Sequence, residues 1–279
     1  MTAAFGGASV REALDSAVIA IAAAGSDTPR LDAELLLAEA LGVDRVALVT
    51  DPRREVAGPA VRAFQDAVRR RSADREPVAY ILGRRGFRHL ELAVDPRVLV
   101  PRPETELLVE VGLELPAGAS VVDVGTGSGA VALALKHERP DLDVVGTDSS
   151  ADALVVARAN AARLGLDVEF LHGDLLAGAG EVDAVLSNPP YVAERERASL
   201  APEIARHEPP GALFAGADGL DVIRRLVPAA ASSGARLLAI EVGAGQSVAV
   251  GELVHDAGFA EASARRDLGR IERVVVGTR

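Results

Sequence analysis

Asn188-Pro189-Pro190-Tyr191 combines residue types that an ordinary loop has little use for, and it comes directly after a strand-like run, VDAVLS. Pro189 forces Asn188 into an extended conformation and Pro190 stiffens the backbone beyond it, so the tetrapeptide is a rigid bracket. Its polar content is the Asn188 side-chain carbonyl plus backbone carbonyls from prolines that have no N–H, mostly an array of acceptors. Such an array suits a planar –NH2 group. In a carboxamide or an aminopurine the nitrogen lone pair is delocalised, as in a peptide, and the nitrogen is a poor nucleophile. Two fixed acceptors on its hydrogens would aim that nitrogen at an electrophilic carbon and stabilise the positive charge that grows on it. The Tyr191 ring can pack along the planar group. A methyl sulfonium fits as the electrophile, because in-line attack at its methyl needs no strong base beforehand. No histidine is required, and none of the five (His89, His137, His172, His207, His255) stands beside the bracket. A plain turn after a strand is the bland alternative.

A second constellation lies upstream. The apolar run SVVDV ends in Gly125-Thr126-Gly127-Ser128-Gly129-Ala130 and runs straight into a helix-like segment. The glycines let the backbone turn sharply and approach a ligand closely. The spacing also satisfies the dinucleotide fingerprint, so the loop by itself does not choose between nicotinamide and another adenosine cofactor. Asp148, nineteen residues past Gly129, ends the next strand, where a carboxylate can accept from both ribose hydroxyls. Its alternative role is helix capping, which Ser149 and Ser150 could perform without it. Asp174, after the third strand, falls near the adenine edge by the same geometry.

These groups need a scaffold that brings strand ends together. From Ser120 the chain alternates strand (120–125), helix (129–137), strand (DVVGTD), helix (151–164), strand (DVEFLHGD) and strand (VDAVLSNPP). That alternation implies parallel pairing with right-handed crossovers, with ligands at the carboxyl ends of the strands. Further on come a strand (ARLLAIEVG), a helix (247–257) and two β-rich runs, 258–265 and 271–276, close enough in sequence to pair antiparallel. The first 80 residues read instead as amphipathic helices of a small bundle. Among them, Leu31, Leu35 and Leu36 oppose Asp32, Glu34 and Glu39 in a helix starting near Pro29, and a second helix spans about 58–71. Residues 86–100 read as a hairpin-like linker of two extended pieces, GFRHLEL and VLVPRP, broken at Asp95-Pro96. A helix is expected from Thr105.

Composition removes several classes of function. There is no cysteine, hence no disulfide scaffold, thiolate metal site or cysteine nucleophile, and the scattered histidines form no ligand cluster. The longest uncharged run is twelve residues, 124–135, too short to cross a bilayer. The N-terminal stretch lacks a basic region before its apolar run, so no signal peptide is expected and the setting is cytoplasmic. Net charge is −11, and the whole excess lies in residues 101–279, with 16 basic against 27 acidic groups.

With these residues in hand, the chain resembles the class I S-adenosylmethionine-dependent methyltransferases, and more narrowly the bacterial release-factor glutamine methyltransferases. The resemblance spans nearly the whole chain: PRLDAELLLAEALG (29–42), EPVAYILGRRGF (76–87), VLVPRPETE (98–106), the glycine loop, NPPY, EPPGALFAGADGL (208–220) and RDLGRIERVV (266–275). It implies an α/β, Rossmann-like domain of seven strands with one antiparallel strand over 101–279, preceded by a helical substrate-recognition domain over 1–85 and the 86–100 linker. It further implies methyl transfer from S-adenosylmethionine, leaving S-adenosylhomocysteine, to the side-chain amide nitrogen of the glutamine in the Gly-Gly-Gln motif of peptide chain release factors. On this resemblance Gly125, Thr126, Gly127, Ser128 and Gly129 contact the methionine and ribose part of the cofactor, Asp148 the ribose, and Leu175 the adenine, where some relatives carry an aromatic. Asn188, Pro189, Pro190 and Tyr191 bind the glutamine amide, with Asn188 reaching the cofactor as well.

Two alternatives share the bracket. Ribosomal-protein glutamine methyltransferases have NPPY yet differ at Pro101-Arg102-Pro103-Glu104-Thr105-Glu106, whose form here favours release factors; Glu104 and Thr105 receive no chemical role. An N6-adenine methyltransferase acting on DNA or RNA presents the same conjugated –NH2, but must grip phosphates, which a catalytic domain carrying the whole −11 repels, so no direct nucleic-acid partner is expected. The local exception is the arginine group Arg69, Arg70, Arg71, Arg75, Arg84, Arg85 and Arg88, read as a solvated helix face plus linker, or more sharply as a dock for an acidic protein surface.

Overall fold

A computed structural model describes residues 8–279, and the first seven residues, on which part of the signal-peptide reading falls, lie outside the described residues. The chain forms two compact units.

The first unit runs to Gly83 and takes in one distant segment, Pro202–His207. Its helices are α1 (Val10–Ala23), α2 (Pro29–Leu41), α3 (Arg45–Thr50), α4 (Pro59–Ser72), α5 (Val78–Leu82) and, from the distant segment, α9 (Pro202–His207). Ser9 and Glu12 form a reciprocal capping box that starts α1, and Pro29 and Pro59 open their helices where a missing N–H costs nothing. The apolar core is built from Val10, Leu14, Ile21, Leu36, Leu37 and Phe64.

The buried face of α2 differs from the one expected. Asp32 is buried together with Ala33, Leu36 and Leu37, while Leu31 is 38% exposed. The cause is an ion pair: Asp32 Oδ2 accepts from Arg71 Nε at 2.7 Å, and both side chains are 7% exposed. Ser26 and Thr28 hydroxyls complete the carboxylate's shell. Arg71 also reaches Glu203 of α9, which Arg75 holds as well. The arginine group is therefore only in part a solvated face, with Arg69 58% exposed and Arg71 and Arg75 drawn inside. Arg69 pairs with Asp66 and Asp74, Arg70 with Glu76, and Arg71 and Arg75 point inward.

The second unit holds the rest. It opens with a hairpin, β1 (Arg84–Phe87) and β2 (Leu90–Ala93), turned at Arg88 in a left-handed conformation (φ +48°). The hairpin thus lies entirely within 84–93; GFRHLEL contains its turn, and 98–101 forms no strand. A 3-10 turn at Pro103–Thr105 leads into α6 (Glu106–Leu113). Beyond it come β3 (Ser120–Val124), α7 (Ala130–Glu138), β4 (Asp143–Asp148), α8 (Ala151–Leu164), β5 (Glu169–His172), β6 (Ala184–Ser187), α10 (Asp221–Ser232), β7 (Leu237–Glu241), α11 (Ser247–Asp256), β8 (Glu261–Arg266) and β9 (Glu272–Thr278).

The seven-stranded sheet has the order β5-β4-β3-β6-β7-β9-β8. Strands β3 to β7 pair in parallel, and β9 runs antiparallel to both of its neighbours, the single reversed strand expected. The central strands β3, β6 and β7 are almost wholly buried because helices cover both faces, which explains their unbroken apolar runs. Strand order reverses between β3 and β6, so the ends of these two strands frame the crevice where a doubly wound sheet takes its ligand.

Candidate active site

At that crevice the second unit encloses a cavity of 440 Å³, within the range of small-molecule sites. Its wall is formed by the glycine turn, the ends of β3, β4 and β6, the segment after β5, and the stretch Arg97–Pro101 with Thr105.

The glycine turn departs from β3 with Gly125, Gly127 and Gly129 all at positive φ (+73°, +56° and +84°). A Cβ on Gly129 would lie 2.8 Å from Leu133, so this position needs glycine on both conformational and steric grounds. Asn160 of α8 pins the turn from behind. Fully buried, it donates to the Ser128 and Ala93 carbonyls and accepts from the Ala93 N–H. Nothing in the sequence around Asn160 distinguishes it from an ordinary helix residue.

Asp148 ends β4 with its carboxylate accepting from Gly127 N–H at 2.9 Å and Ser150 N–H at 2.8 Å. It does not cap α8; Ser150 does, accepting from Ala153 N–H. A carboxylate has about four lone-pair sites, so two remain for a vicinal diol at the cavity wall. Below the turn, Asp123 is buried and lines the same cavity; burial pushes its carboxyl up to about 6, partly countered by Thr126 Oγ1 and Ala132 N–H. A cationic group in the cavity would favour the ionised form of this carboxyl against the neutral form that burial favours.

Leu175 comes after Asp174 in a left-handed conformation (φ +54°), its carbonyl accepting from Thr147, and both residues line the cavity. Asp174 is paired with Arg225 at the cavity edge. This donor set fits a purine nucleoside carrying a positive charge: a diol acceptor, an apolar ledge and a buried carboxyl, with a close-approach backbone turn between them.

Asn188, Pro189 and Pro190 lie on the cavity wall beside the glycine turn, at the end of the neighbouring strand β6. Asn188 Nδ2 donates to Thr105 Oγ1 at 3.0 Å, which leaves Oδ1 as the free end of the amide among the described residues. Tyr191 lies behind this bracket. Its hydroxyl turns to Glu241 Oε1 at 3.4 Å, its carbonyl accepts from Gln246 Nε2, and burial together with the Glu241 charge pushes its pKa up. Thr105 and Glu241 are joined to the bracket in this way, a connection that reasoning from sequence missed. The two prolines of Pro101-Arg102-Pro103 were the available signal for Thr105, since they fix the chain against the site.

Sheet order, glycine turn and strand-end acid together define a class I methyltransferase domain. Residues 12–83 match the family described as PrmC N-terminal domain, and residues 103–215 the family described as Methyltransferase small domain. The release factor glutamine methyltransferase of Caulobacter vibrioides is 43% identical over 92% of this chain and 91% of its own. That of Mycolicibacterium smegmatis is 43% identical over 97% of this chain and 98% of its own. The catalytic domain of hMettl16, solved with the MAT2A 3′UTR hairpin 6, is 15% identical with a TM-score of 0.57 over 79% of this chain and 81% of that one, and shares the fold alone. The chain belongs to the release factor glutamine methyltransferase family. Among the described residues, no helix is long and apolar enough to cross a membrane and no acid or histidine group could hold a metal.

Proposed function

We propose that this protein transfers a methyl group from S-adenosylmethionine to the side-chain amide N5 of the glutamine in the Gly-Gly-Gln motif of peptide chain release factors, in the cytoplasm. One observation carries the reading beyond family membership: Asn188 has its amide nitrogen engaged by Thr105, so its carbonyl and those of the adjacent prolines are the groups available to a substrate –NH2.

S-adenosylmethionine, when bound, supplies an electrophilic methyl on a sulfonium. The chain's own residues do the rest. The Gly125–Gly129 turn and Asp148 hold the nucleoside end, Leu175 packs the purine, and the Asp123 carboxyl offsets positive charge. Asn188 Oδ1 and the bracket carbonyls would accept from the substrate amide and hold its nitrogen toward the cavity. They would also stabilise the positive charge that the nitrogen gains as its bond to the methyl carbon forms and the carbon–sulfur bond breaks, and the proton made acidic by that bond would pass to water. The helical unit selects the protein substrate in this reading.

The test is incubation with labelled S-adenosylmethionine and, in parallel, a release factor, an adenine-containing oligonucleotide and ribosomal protein. Label is expected on the glutamine of the release factor, and Asn188→Ala is expected to abolish turnover with its circular dichroism unchanged. Label on the oligonucleotide instead, or full activity in Asn188→Ala, would overturn the reading.

A further inference from the structure

Behind the bracket lies a set of polar groups that the transfer step does not itself use. Asn188 Nδ2 donates to Thr105 Oγ1, Tyr191 donates to Glu241 Oε1, and the Thr105 hydroxyl bears on the same carboxyl. Thr105 is 4% exposed and Glu241 1%. Glu241 Oε2 has no hydrogen-bond partner among the described residues. Glu241 is the last residue of β7, the strand beside β6, whose end carries Asn188.

Proton counting gives this set a direction. A hydroxyl has a single proton, so Thr105, in accepting from Asn188, directs its own hydrogen to another acceptor. An ionised carboxylate only accepts, so Glu241 in that state would draw the Thr105 hydrogen toward itself, with Tyr191 donating from the other side. If Glu241 instead holds a proton, it can donate to Thr105. Thr105 then donates to the Asn188 carbonyl, and the amide turns over to present its –NH2 to the cavity. Two –NH2 groups facing each other cannot make the grip.

We propose that Thr105 and Glu241 are positioning residues that set the polarity of the Asn188 amide, ionised Glu241 being the state that turns Oδ1 toward the substrate nitrogen. The inference rests on the acceptor role given to Asn188 above. It also predicts a pH dependence. Glu241 faces Glu104 and Thr105 from the turn before α6, Tyr191 after β6, and Arg273 of β9. Burial, aided by the Glu104 charge, pushes Glu241 up to about 7 against the pull of Thr105, Tyr191 and Arg273. Turnover should therefore rise as the pH passes upward through neutrality.

The experiment measures kcat/KM with a release factor on both sides of neutrality for the intact enzyme and for Thr105→Val, Thr105→Ser, Glu241→Gln and Asn188→Ala, with S-adenosylhomocysteine affinity by calorimetry. Thr105→Val keeps the volume and loses the hydroxyl; a drop on the order of a hundredfold is expected, as for a misplaced reacting group. Thr105→Ser should recover most of it. In Glu241→Gln the rise through neutrality should vanish while S-adenosylhomocysteine affinity is kept, because Glu241 is not on the cavity wall. Should Thr105→Val fail to fold, Thr105→Ser and the Glu241→Gln profile still decide. Wild-type kcat/KM in Thr105→Val, or a pH profile unchanged by Glu241→Gln, overturns the proposal. Full activity in Asn188→Ala would instead remove the acceptor reading on which it stands.

Discussion

Asp148 works in two directions, ordering the glycine turn through Gly127 N–H and offering its remaining lone pairs to the cavity. Hydrogen bonds to a charged acceptor contribute about 1.5–3 kcal/mol. Asp148→Ala is therefore expected to weaken S-adenosylhomocysteine binding at least about tenfold in titration calorimetry. At Gly129 the sign is set by backbone: alanine at φ +84° and in contact with Leu133 should cost about 1–3 kcal/mol in urea unfolding. Glu241 makes a pH-dependent contribution. Its pKa in the folded chain is about 7 against an ordinary 4.5, so the fold favours the protonated form. That stabilisation is full below about 4.5 and is lost as the pH rises from there through 7. The melting temperature of Glu241→Gln relative to wild type should hence climb across this window; a flat difference would contradict it. At this scale the site was legible wherever a residue type is forced by its own chain neighbours, as for the glycines, Asp148 and Asn188. Thr105, Glu241 and Asn160 meet partners 32 to 136 positions away, and no local pattern marks such pairings.

Among the elements, α2 shows where periodicity misleads. Its leucines do recur at helical spacing, yet Asp32 faces inward because Arg71 of α4 meets it there. Arg71→Ala leaves a buried carboxylate without its cation and is expected to destabilise the helical unit by about 3–5 kcal/mol in denaturant titration. Asp32→Asn/Arg71→Met together should lose much less, since neither charge is then stranded. The strands are easier to read. Runs such as AVLS and LLAIE are apolar throughout because helices cover both faces of β6 and β7, and that continuity survives in sequence without any knowledge of partners. The hairpin begins two residues earlier than its sequence suggests because its turn uses Arg88 at positive φ, a conformation that arginine does not advertise.

For the molecule as a whole, the arginine group does not stand as a free basic patch. The group's charges are largely spent on internal acids, with Asp32, Glu76 and Glu203 each taken by at least one of them. Glu203 ties this to acid stability. Burial raises its pKa, but its backbone hydrogen bond together with Arg75 and Arg71 leaves it below the ordinary 4.5. Its stabilising contribution is present above that value and fades as the pH falls below it, so helical-unit stability should decline in acid less steeply in Glu203→Gln than in wild type, as followed by circular dichroism.

The hexapeptide Pro202–His207 has a further consequence for anyone recombining these enzymes. The helical unit is discontinuous in the gene, so exchanging residues up to Gly83 for those of a relative transplants only part of it. The recipient's Glu203 would then face foreign helices, while the donor's counterparts of Arg71 and Arg75 would lack their native acid. A working chimera needs two crossovers more, one on each side of a six-codon island in the catalytic half.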